Sequence, residues 1–173
     1  MSLAAAVRIA AYLIAVLVPM AMALAGNDSS RATTVGWREP LQRAEVALAS
    51  GNLSAAHEAW EQAYRTAMHA RATGGLLAIG EAYLQIGEAV RDPSTAVASA
   101  RRIFLTALLQ ARERRDAAAA ATAAAAFASL GDREMADRGF AIAMAVATER
   151  GDTAGWERIA ALQREVTDAP RMR

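Results

Sequence analysis

From Trp37 onward, apolar residues recur along the chain in steps of three and four, the spacing that gathers side chains on one face of an α-helix. Residues that stop or start helices interrupt these runs at intervals. Gly51-Asn52, Gly87-Glu88, Gly131-Asp132 and Gly151-Asp152 read as helix ends, because glycine accepts the left-handed conformation that follows a last helical turn. Asp92, Asp116, Asp132 and Asp152 stand where a side-chain oxygen can cap a new helix. Pro93, directly after Asp92, fits a first turn. The pattern predicts an all-α protein.

The helices repeat. Ala56/Trp60/Ala63, Ala100/Phe104/Ala107 and Ala136/Phe140/Ala143 share one spacing, and steps of four and three put each triplet on a single helix face. The segments before them match as well. Leu41, Glu45, Leu48 and Gly51 recur as Leu77, Glu81, Leu84 and Gly87, and in the third copy as Ala121, Ala125, Ala128 and Gly131. The unit is a helix pair of 36 residues, and the second copy carries an insertion of eight residues around Arg91-Asp92-Pro93-Ser94, either as extra helical turns or as a longer loop.

With Gly80 and Tyr83, then Ala124 and Phe127, late in the first helices, and an Ala/aromatic/Ala triplet in each second helix, the chain resembles a tetratricopeptide repeat protein over about residues 37–167. One further step of the period places Trp156 where that family has an early first-helix Trp, so 152–167 would be the first helix of an incomplete fourth unit. The resemblance implies a right-handed α-solenoid of three helix pairs with a C-terminal capping helix. It also implies a concave face lined by the first helices.

Residues 1–25 differ from the rest. Arg8 is followed by an apolar run from Ile9 to Val18, then Pro19, and then small residues ending Ala23-Leu24-Ala25. That order fits a secretory signal peptide cut after Ala25. The run from Ile9 to Ala25 is 17 residues, the short end of what a spanning helix needs, so an uncleaved anchor is the competing reading. Both place the remainder across a membrane: periplasmic or secreted after cleavage, or anchored in the inner membrane and facing the periplasm. Residues 26–36 are polar without helical periodicity and read as a flexible leader, and 168–173 as a tail.

Composition narrows the chemistry. The chain has 47 Ala, 19 Arg and no Lys, with a formal charge of +1, so no overall field favours nucleic acid. Strand formers are sparse and Cys is absent, which excludes disulfides, thiolate metal sites and a catalytic thiol. His57-Glu58-x-x-Glu61 superficially suggests a metal, but a zincin needs His at both ends and only His69 remains. Gly74-Gly75 and Gly80 lack the strand and the Gly-Lys-Thr context of a phosphate loop. No nucleophile–base pair stands out, so the chain is expected to be neither an enzyme nor a cofactor protein. Arg101, Arg102, Arg112, Arg114 and Arg115 read as a solvated helix end that complements the helix dipole, or else as a docking patch for lipid headgroups or an acidic partner.

The remaining candidate is the first-helix stripe. Leu41, Leu48, Leu77 and Leu84 would form two apolar rungs with Glu45 and Glu81 between them, and Ala121, Ala125 and Ala128 a smoother end. Such a groove suits an amphipathic or extended peptide, one carrying a basic residue in particular. The same leucines would serve equally as core between repeats. The expectation is an exported, non-enzymatic scaffold that binds a protein or peptide through this groove. The alternative is a structural accessory subunit held in a membrane complex by residues 9–25.

Overall fold

The computed structural model describes residues 36–168. The signal or anchor segment 1–25, nearly all of the 26–36 leader and the tail after Asp168 lie outside the described residues. The described chain is all-helical: α1 (Arg38–Ala49), α2 (Leu53–His69), α3 (Thr73–Ala89), α4 (Pro93–Glu113), α5 (Ala117–Ser129), α6 (Arg133–Glu149) and α7 (Thr153–Asp168).

Every connection is three residues long and built alike. The middle residue is left-handed: Gly51, Gly131 and Gly151 at φ 75°, 79° and 66°, and Arg71, Arg91 and Arg115 at 50°, 60° and 55°. The third residue returns its backbone N–H to the carbonyl five residues earlier, as from Asn52 to Ala47 (2.9 Å) and from Asp132 to Phe127 (3.0 Å). This is the Schellman ending, and it satisfies carbonyls the helix would otherwise leave orphaned. In five of the six turns the same third residue caps the next helix. Asn52, Asp92, Asp116, Asp132 and Asp152 accept from the N–H three residues on, at 3.2, 3.2, 3.0, 3.3 and 2.8 Å.

Gly87 does not end a helix. It lies inside α3, where its missing side chain lets α4 approach, since a Cβ there would stand 2.1 Å from that of Ala96. The eight-residue insertion is thereby resolved into two turns. α3 has 17 residues against 13 in α5, and α4 has 21 against 17 in α2 and α6. The α3–α4 hairpin therefore stands one turn, about 5.4 Å, taller on both sides of Arg91.

Packing is most extensive within α1–α2, α3–α4 and α5–α6, with each pair leaning on the next. The first helices also touch in order, α1 on α3, α3 on α5 and α5 on α7. All nine triplet positions, with Trp60, Phe104 and Phe140 at their centres, are buried. Glycines allow close approach: a Cβ on Gly80 would stand 2.3 Å from the Phe104 ring, and one on Gly139 2.8 Å from the Cβ of Ala124. Trp60 donates its indole N–H to the carbonyl of Ile79 (2.9 Å), tying α2 to α3, and its ring lies 4.3 Å from that of Tyr83. Phe104 meets Phe127 edge-on at 6.2 Å. α7 buries Gly155 and Ile159 against its neighbours, whereas Trp156 remains 42% exposed.

Candidate functional site

The first-helix stripe divides into three layers. Leu41, Leu77 and Ala121 are buried and belong to the core that runs between successive first helices. Leu48, Leu84, Ala125 and Ala128 are half-buried and pack against that core. Glu45 and Glu81 are exposed. The rungs are thus seated into the core at one end and reach the surface at the other, while the two carboxylates sit on matching faces of touching helices.

The helical repeat explains what surrounds Glu81. On α3, Gly74, Ala78, Glu81, Gln85 and Glu88 share one stripe, and residues 74, 81, 85 and 88 are exposed with Ala78 half-buried. On α5 the equivalent stripe is Ala118, Thr122, Ala125 and Ser129, a floor of small side chains. Glu81 makes no ion pair or side-chain hydrogen bond among the described residues. Burial of its carboxyl raises its pKa above the ordinary glutamate range. Water still reaches the side chain, so the desolvation is partial.

The other candidates are placed as follows. His57 is exposed, stacks on Trp60 with ring centroids 5.9 Å apart, and lies 3.5 Å from Glu61 one turn on, the geometry of a helix-surface pair. Among the described residues, no three His, Asp or Glu side chains are grouped so as to hold a metal ion. Arg101 pairs with Asp132 at 2.5 Å and Arg115 with Glu149 at 3.9 Å, so part of the arginine cluster ties turns to helices. Arg112 and Arg115 also line a cleft of about 600 Å³ whose other wall is Ala141, Ile142, Ala145, Val146 and Glu149 of α6. Exposed Leu105 and Leu109 stand on the adjoining outer face of α4. Sequence reading passed over these leucines; a helical wheel started at Pro93 sets them opposite the buried Ala100/Phe104/Ala107 face.

Among the described residues no helix is long and apolar enough to cross a membrane. No protein-family model matches the chain, nor does any curated protein or solved structure.

Proposed function

We propose that the chain is an exported, non-enzymatic scaffold whose helix pairs form a short right-handed α-solenoid of tetratricopeptide-repeat type. In this reading α7 is the capping helix, and the first-helix face receives a protein or peptide segment. The observation that carries the proposal is Glu81, a partly desolvated carboxylate without an ion pair among the described residues, on the face that α5 continues with small side chains and one repeat from Glu45. Such a carboxylate gains most from a cation delivered by a partner, because the local environment weakens solvation of its charge and strengthens a paired one. The half-buried edges of Leu48 and Leu84 offer apolar contact on either side.

Exchanging Glu45 and Glu81 for Arg tests this. Both side chains are exposed, so the fold should survive, with helical content as the control. Partner capture from the cell envelope should be lost in the double variant and retained in Arg114→Glu/Arg115→Glu. Loss only in the arginine variant would move docking to the second helices, and unchanged capture in both would end the proposal. The apolar run 9–25 supports a second reading, a membrane-anchored accessory subunit. Intact mass separates the two, since a chain beginning at Gly26 favours the exported scaffold and one retaining residues 1–25 favours the subunit.

A further inference from the structure

Five of the seven described helices receive a side-chain cap; α1, which starts after Trp37, and α3, whose N-cap position is occupied by Ala72, do not. The N–H groups of Thr73, Gly74 and Gly75 therefore present the positive end of a 17-residue helix with no side chain to answer it. Two more donors stand at the same turn. The Thr73 hydroxyl and the Trp37 indole N–H belong to residues only 6% and 8% exposed, and neither finds a hydrogen-bond partner among the described residues. Buried polar groups in that condition are rare and unfavourable.

The shape of the turn suits a ligand. Trp37 lies so close over Gly75 that a Cβ there would come within 3.0 Å of the indole nitrogen, which fixes that N–H beside the helix end. A Cβ on exposed Gly74 would meet nothing within 4 Å, so that side is open. The Arg38 guanidinium stands 5.4 Å from the centre of the Trp37 ring and forms no ion pair among the described residues. Arg71, two residues before the helix, is held by Glu113.

We propose that the N-terminus of α3 is an oxyanion site. The N–H groups of Thr73, Gly74 and Gly75, the Thr73 hydroxyl and the Trp37 indole N–H take the oxygens of a phosphate or carboxylate group, with Arg38 adding charge. Every group that converges can donate, so only an acceptor satisfies them together. The open side at Gly74 lets a tetrahedral or planar oxyanion reach the backbone, while the missing side chain at Gly75 seats the Trp37 ring. This is no phosphate loop, since it has neither lysine nor strand. It does not depend on the first-helix reading, because Glu81 lies two turns further along α3.

The test uses the full chain, thermal unfolding and tryptophan fluorescence. Sodium phosphate and sodium acetate are titrated separately against sodium chloride at constant ionic strength. Phosphate also stabilises proteins nonspecifically, so the readout is the difference between wild type and Ala72→Asp. An aspartate at 72 restores the cap found in the other turns. It should raise Tm in chloride while abolishing the specific response to either anion. Thr73→Val should weaken the response about tenfold, the loss of one charge-assisted hydrogen bond. A phosphate response exceeding that of acetate identifies a phosphoryl ligand, and an equal one a carboxylate. Either supports the site. No response beyond chloride, or an Ala72→Asp response equal to wild type, overturns it.

Discussion

Replacing Gly87 with alanine sets helix propensity against helix packing. Inside α3, alanine is favoured over glycine by about 0.8–1.0 kcal/mol. The new Cβ, however, would stand 2.1 Å from that of Ala96 and 3.3 Å from the Asp92 carbonyl oxygen. Carbon atoms in contact sit about 3.5–4.0 Å apart, so α3 and α4 must separate by roughly 1.5 Å at this point. A methyl and a backbone carbonyl have no rotamer with which to yield. Overpacking of a tight core ordinarily costs about 1–3 kcal/mol, and the upper part of that range applies here. The net loss for Gly87→Ala is then about 1–2 kcal/mol. Gly74→Ala, in the same helix but facing open space, should gain about 0.5–1 kcal/mol. The decisive variant is Gly87→Ala/Ala96→Gly, which moves the methyl from one helix to the other. Urea unfolding followed by circular dichroism should show the pair coupled by more than about 1 kcal/mol, with unchanged m-values. If Gly87 instead ended α3 in a left-handed conformation, the loss would be indifferent to residue 96. A cycle without coupling would refute the packing argument.

Phe140→Ala, which empties a ring position only 1% exposed, should lower stability by about 3–5 kcal/mol in the same assay. Gly131→Ala should cost about 1 kcal/mol through its left-handed φ of 79° alone, since nothing lies within 4 Å of the added methyl. Glu81 binds its proton more tightly in the folded than in the unfolded chain, so stability falls as pH rises from the ordinary glutamate pKa through the raised one. Glu81→Gln should therefore be the more stable protein near neutrality, and its advantage should vanish as a pH series of melts descends through that window.

The punctuation of the fold was legible because its signals are local. Asn or Asp in the last turn position marks the start of a helix wherever it occurs, and the Ala/aromatic/Ala triplets mark the buried faces of α2, α4 and α6. Gly87 misled because glycine serves two purposes, a left-handed turn and a close approach, and only the partner helix tells them apart. Nothing in an arginine announces a positive φ, so the turns at Arg91 and Arg115 were marked only by the Asp92 and Asp116 that follow, and the turn at Arg71, followed by Ala72, was hidden. At the candidate site, the period placed Glu45 and Glu81 on matching faces. It left open whether the leucines face a groove or the core, and packing between units decides it: Leu41, Leu77 and Ala121 are buried in the core. The uncapped turn at Ala72 carried no signal of this kind. Its meaning depends on Trp37, which lies far from it along the chain.

The claim that the first-helix face is the docking surface is tested most directly by site-specific photo-crosslinking in the native cell envelope. A photoreactive side chain is placed in turn at positions 81 and 125 on the first helices, and at 98 and 102 on the outer face of α4. All but half-buried Ala125 are exposed, so folding should survive the substitutions. The account predicts one and the same adduct from 81 and 125, and none from 98 or 102. Adducts confined to 98 and 102 would contradict it.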